Sequence, residues 1–187
     1  GIGVANGLHL LGYHCAEYAN GLQTRELAEA SGGEAKGLFA ISERALARAL
    51  KLMVQHKHYE MAATVCQDLG LCYYYELRYQ RAMQYYQSAC AMIVEHLGYL
   101  HPDLSVPAFN IANVMCCAGL YQRARPFLRL AYALNRAALG PGHSWTKTAL
   151  ISLRIVSRTR PSALPLLQYQ DAGVDAHVEG DAEMVRE

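Results

Sequence analysis

The chain has 187 residues, about one ordinary domain, and 52% of them are apolar against 18% charged. That balance excludes a highly charged disordered chain and allows a real core. Charge or Gly interrupts every apolar stretch before the ~18 residues that a membrane helix needs. A net charge of +1, with 17 Lys plus Arg in all, argues against nucleic acid as the partner.

In chain order, residues 4–30 read as a helix with a break near Asn20-Gly21. Ser31-Gly32-Gly33 reads as a turn, and 34–57 as the second helix of a degenerate first unit. Residues 61–76 and 79–97 carry apolar residues at intervals of three and four, as paired amphipathic helices require, around a corner at Leu77-Arg78. Residues 105–118 and 121–139 repeat the arrangement around Gly119-Leu120. Small Gly70 and Ala82 fall where two helices cross closely, with Tyr73, Tyr79 and Tyr86 as the large partners between them. Residues 144–159 form a last helix that is expected to cap the stack with a solvated face, with Ser144 as its N-cap and Thr159-Arg160-Pro161 as its stop. From 161 to 187, Pro, Gly and acids follow without periodicity. The organisation expected is therefore a helical repeat domain over 1–160 and an acidic, extended or disordered tail over 161–187.

The repeat itself is explicit. Tyr-Gln-Arg-Ala stands at 79–82 and again at 121–124, a shift of 42. The same shift relates Leu97-Gly98 to Leu139-Gly140, His101 to His143, Ala89 to Ala131 and Tyr85 to Phe127. One further step back aligns Ala40 with Ala82 and Ala47 with Ala89. Gly98 and Gly140 end helices, Pro102 and Pro141 prevent their continuation, and His101 and His143 suit turn hydrogen bonds.

Leu69-Gly70 … Tyr73 … Tyr79 … Ala82 … Tyr86 … Ala89 resembles the tetratricopeptide repeat position by position, as does Ile111-Ala112 … Gly119 … Tyr121 … Ala124 … Leu128 … Ala131. The 42-residue length, Leu97-Gly98 … His101-Pro102 between units and Asn110 before Ile111-Ala112 resemble the repeats of kinesin light chains. The resemblance covers about 64–160 well and 34–60 weakly. It implies an all-α, antiparallel helix-pair solenoid, a right-handed superhelix with a C-terminal capping helix. It also implies a non-catalytic scaffold that holds a peptide or partner subunit in a concave groove, within a larger cytoskeletal or motor-linked assembly. Its groove positions fall on Gln67, Leu71, Tyr74 and Tyr75, then on Phe109, Asn110, Asn113 and Cys117, with Arg158 from the last helix and Ile151 at the margin. Asn amides there can clamp a peptide backbone, and aromatic rings supply area with few torsions to freeze. Leu128-Arg129-Leu130-Ala131-Tyr132 … Leu139-Gly140 … His143-Ser144 resembles the C-terminal helical domain of SET–MYND methyltransferases, which implies a regulatory domain as the alternative. An RNA-associated organellar repeat protein is a third reading, suggested by the arginines.

Other chemistry finds no support in the sequence. No Gly-rich phosphate loop is present. His56 and His58 diverge on a helix, and no third ligand follows at metal spacing, so neither metal nor cofactor is expected. Cys15, Cys66, Cys72, Cys90, Cys116 and Cys117 sit among apolar residues without a Cys-x-x-Cys pair, which reads as reduced, packed thiols in a reducing compartment, and the resemblance to kinesin light chains implies a cytoplasmic, cytoskeleton-associated setting. The sharper clue is charge. Residues 104–160 contain no Asp or Glu but carry Arg123, Arg125, Arg129, Arg136, Lys147, Arg154, Arg158 and Arg160. The tail carries Asp171, Asp175, Glu179, Asp181, Glu183 and Glu187 against Arg186. An acidic protein or peptide is therefore the expected partner, with the chain's own tail as an internal competitor.

Overall fold

The structure, a computed structural model, describes residues 1–29 and 34–159. Among them are seven α-helices and no strand: α1 (Ile2–Glu29), α2 (Glu34–Gln55), α3 (Tyr59–Tyr75), α4 (Tyr79–His96), α5 (Ser105–Cys117), α6 (Tyr121–Leu139) and α7 (Ser144–Arg158). A 3₁₀ turn at Pro102–Leu104 precedes α5. The chain divides into two compact units, one over Gly1–Met92 and one from Ile93 onward. Consecutive helices pack in pairs, as in a tetratricopeptide-like solenoid. The expected Ser31-Gly32-Gly33 turn and the tail lie outside the described residues.

In the first unit, α1 runs unbroken through Asn20-Gly21, contrary to expectation. Packing explains the difference. Ala5, Gly12, Ala16 and Ala19 form a buried small-residue stripe along α1. The buried Ser42 hydroxyl on α2 donates to the Gly12 carbonyl at 2.7 Å. Such burial along a helix outweighs the roughly 1 kcal/mol that one interior Gly costs. His9 on α1 pairs with Asp68 on α3 at 2.5 Å and ties the two together.

Short corners join the helices by one repeated device. At the end of α3 the Arg78 N–H donates to the Tyr73 carbonyl and the Leu77 N–H to the Tyr74 carbonyl. His58 and Lys57 do the same to Met53 and Val54, and Leu120 and Gly119 to Met115 and Cys116. This is the Schellman pattern, whose penultimate residue must be left-handed. Gly119 meets that demand freely at φ 73°, whereas Lys57 and Leu77 adopt φ 60° with a side chain.

The first helix pair is out of the 42-residue register. Ala40 and Ala47 are exposed, whereas Ser42, Leu46, Ala49 and Met53 are buried. These stand 40 residues before the buried Ala82, Tyr86, Ala89 and Ile93. The alanine alignment read from the sequence is therefore displaced by two residues in this pair. The cause is the connection: three residues, His56–His58, separate α2 from α3, while a longer turn with its own 3₁₀ segment follows α4.

In the second unit, Ala112, Ala124, Leu128 and Val156 form a core joined by Phe109, Met115, Cys116, Tyr121, Phe127 and Leu153. The α7 N-cap is His143, whose Nδ1 accepts from the Trp145 N–H at 3.2 Å; Ser144, the expected cap, is already the first helical residue. His101 does the same for the Asp103 N–H at 3.3 Å, so the recurring histidines are recurring caps. The solvated capping face expected of α7 is also incomplete. Trp145, Ile151 and Ile155 are 52%, 55% and 59% exposed.

Candidate partner-binding surfaces

The predicted positions fall into a patch on each unit. On α3, Gln67, Leu71, Tyr74 and Tyr75 share one face at intervals of three and four, and all are half-buried. Tyr75 is engaged inside its own unit: its ring packs on the cluster of Ala16, Ala19, Phe39 and Cys72, and its hydroxyl donates to Glu17 at 3.0 Å. Burial, reinforced by Glu17, pushes its phenol upward from the ordinary value. The Tyr74 ring lies edge-on to Tyr75 at 6.2 Å and tilted to Tyr79 at 5.6 Å. Beneath them Tyr73 is core. Its hydroxyl donates to Glu43 at 2.5 Å, its ring stacks on Tyr85 at 5.3 Å, and the Arg78 guanidinium lies 4.7 Å from its centre.

On α5, Phe109, Asn110, Asn113 and Cys117 likewise share one half-buried face. Asn110 and Asn113 lie one turn apart. Neither amide has a hydrogen-bond partner among the described residues, so two donor–acceptor groups stand ready side by side. Phe109 rests on the unit's core. Arg158 stands apart, exposed in the last turn of α7.

The unit that carries the α5 patch is rich in exposed cations. Arg123, Arg129, Arg136, Lys147, Arg154 and Arg158 are exposed, and none has a carboxylate in ion-pair range among the described residues. In the first unit, by contrast, Arg78 pairs with Glu76 and Arg81 with Glu43.

Sequence reasoning missed one feature. Phe109, Asn135, Ser144, Trp145 and Thr148 line a cavity of about 240 Å³ in the second unit. Asn135 reads in sequence as one more residue of an Ala- and Leu-rich helix, and nothing there marks it as buried. The available signal was Trp145, the chain's single tryptophan.

Cys66, Cys72 and Cys90 sit in surroundings that keep their thiols protonated. Burial raises Cys66 to about 12 and Cys72 and Cys90 to about 11. Among the described residues no three His, Cys, Asp or Glu side chains cluster as a metal would require. No described helix is long and apolar enough to cross a membrane.

Residues 110–144 match the model of the tetratricopeptide repeat family. Fold and match together support a tetratricopeptide-repeat protein. The matched segment runs from Asn110 through α6 to Ser144 and so includes most of the α5 patch and its cationic neighbours. No curated protein matches the chain.

Proposed function

We propose that this tetratricopeptide-repeat protein is a non-catalytic scaffold that binds an acidic peptide, or an acidic segment of a partner subunit, on the α5 face of its second unit. The observation that carries this reading is the pair of amides, Asn110 and Asn113, without partners among the described residues, in a unit whose exposed cations have no carboxylate in ion-pair range among the described residues. A backbone laid along α5 satisfies both amides, Phe109 and Cys117 offer apolar area at either end, and the arginines attract the carboxylates. The α3 face of the first unit, with Gln67, Leu71, Tyr74 and Tyr75, is a separate candidate partner surface. The 42-residue unit and its Leu-Gly-x-x-His-Pro turn favour a cytoplasmic, cytoskeletal or motor-linked assembly of the kinesin-light-chain kind.

The test is a titration of fluorescent acidic and basic peptides of equal length against the full chain. Acidic peptides bind more tightly, and the preference shrinks as salt rises. Each clamp hydrogen bond contributes about 1 kcal/mol, so Asn110→Ala with Asn113→Ala weakens binding by about tenfold or more. Equal affinity for both peptide classes overturns the proposal.

A further inference from the structure

The cavity beside α7 has a polar floor and an apolar approach. Asn135 is only 6% exposed, lines the cavity, and makes no side-chain hydrogen bond among the described residues. Its amide opens into the cavity and offers a donor and an acceptor to a hydroxyl or amide brought there. The walls are the rings of Phe109 and Trp145, and the remaining polar groups are the Ser144 and Thr148 hydroxyls. No lining side chain is charged. These walls fit a flat, mostly apolar group with a single polar tip, which among side chains describes tyrosine best.

Exposed apolar residues lead to this cavity from the far end of α7. At 100° per residue, Trp145, Thr148, Ile151 and Ile155 fall on one flank of the helix. Val156, Ala149 and Thr146 occupy the buried side. The flank therefore forms an uncovered apolar track from the C-terminal turn of α7 to the cavity at its N-terminus.

We infer that the chain's own residues Leu164–Asp171 dock along this track, with Tyr169 in the cavity and its hydroxyl on Asn135. Reach permits it. The 15 residues of α7 span about 22 Å, and the ten residues from Thr159 to Tyr169 extend up to about 33 Å. Composition agrees: Leu164, Leu166 and Leu167 precede Tyr169, the single aromatic ring of Phe, Tyr or Trp type after residue 160. In a chain running back along α7, these leucines pass Ile155 and Ile151 before Tyr169 arrives at Trp145. Charge agrees as well, because Asp171, Asp175, Glu179, Asp181, Glu183 and Glu187 follow directly in the sequence, and the exposed cations of the second unit have no ion-pair partner among the described residues. Phe109 belongs both to the cavity and to the α5 patch, so the docked tail competes with an acidic partner. The competition rests on the function proposed above; the docking does not.

Trp145 is the sole tryptophan and reports the site directly. Its emission, excited where tyrosine does not absorb, is quenched with acrylamide in the full chain, in a chain ending at residue 161, and in full-length Tyr169→Ala. Docking predicts severalfold stronger quenching and a red shift in both altered chains, and recovery when a peptide of residues 162–187 is added to the truncated one. Tyr169 belongs to no described helix, and circular dichroism checks that the helices stay folded when it is replaced. Full-length Asn135→Ala behaves like Tyr169→Ala if the amide is the anchor. Equal quenching of full-length and truncated chains overturns the inference. Protection that grows with protein concentration also overturns it, by assigning the cavity to a second copy. If docking holds but truncation leaves acidic-peptide affinity unchanged, the partner surface, not the docked tail, is what fails.

Discussion

Gly70 of α3 lies directly against the ring of Tyr86 on α4: a Cβ at Gly70 would stand 2.5 Å from Tyr86 Cε1 and 2.6 Å from Cδ1. Tyr86 is almost fully buried, so the ring cannot swing away. Gly12 and Leu46 repeat the relationship between α1 and α2, again with 2.5 Å between the missing methyl and the partner side chain. Gly70→Ala is therefore expected to destabilise the first unit by about 1–3 kcal/mol through overpacking. Gly7→Ala, on the same unit but facing open space, should stabilise it by up to about 1 kcal/mol through helix propensity. Urea unfolding of the two variants checks the contrast; equal effects would mean that Gly70 is not a contact position.

That pair also shows how far the sequence could be read. Gly70 and Tyr86 were legible because small and large residues recur at fixed places in a 42-residue pattern. In the first pair Ser42 and Leu46 stand where Ala82 and Tyr86 stand later, so residue identity gave no register, and aligned alanines gave a false one. Register there is set by the length of the corner after α2, which composition does not reveal. The α5 positions came from the resemblance to known repeats, and their spacing sets all four on one face of the helix. The cavity was not, because it is assembled from α5, α6 and the first turn of α7, and Asn135 has no local signature.

The corners give a second prediction. Leu77 holds φ 60° and leaves its side chain 64% exposed, so it bears the left-handed strain with little packing in return. A left-handed non-Gly residue costs about 1–2 kcal/mol, while Gly loses about 0.4–1 kcal/mol through the unfolded chain. Leu77→Gly should therefore raise stability by up to about 1 kcal/mol, and Gly119→Leu should lower it by about 1–2 kcal/mol. Thermal unfolding decides; a loss of stability in Leu77→Gly would mean that its side chain packs usefully after all.

The histidine caps give a third. The His143 imidazole accepts from the Trp145 N–H, whereas Ser144 lies inside the helix. His143→Ala is expected to cost about 1 kcal/mol, and His143→Asp to restore most of it, because a carboxylate satisfies the same N–H and favours the helix N-terminus. Ser144→Ala should be nearly neutral. If Ser144→Ala cost as much as His143→Ala, the serine would be acting as the cap.

The buried thiols couple stability to alkaline pH. Burial lifts Cys66 from 9.0 to about 12, and Cys72 and Cys90 to about 11. The folded chain thus holds these protons more tightly than the unfolded one. Their contribution is fully present below pH 9 and is lost as pH climbs through about 11 to 12. The buried phenols of Tyr73 and Tyr86, also raised by burial, act in the same direction. The urea midpoint should hold steady across neutral pH as far as these groups are concerned and fall once pH exceeds about 9. The same protonation predicts slow chemistry, since the thiolate is the nucleophile. Iodoacetamide at pH 8 should label Cys66, Cys72 and Cys90 far more slowly in the folded chain than in urea, as followed residue by residue by mass spectrometry. Labelling of Cys66 at the urea rate in the folded protein would show that the first unit opens far more readily than its packing implies, and the pH dependence derived from its burial would fall with it.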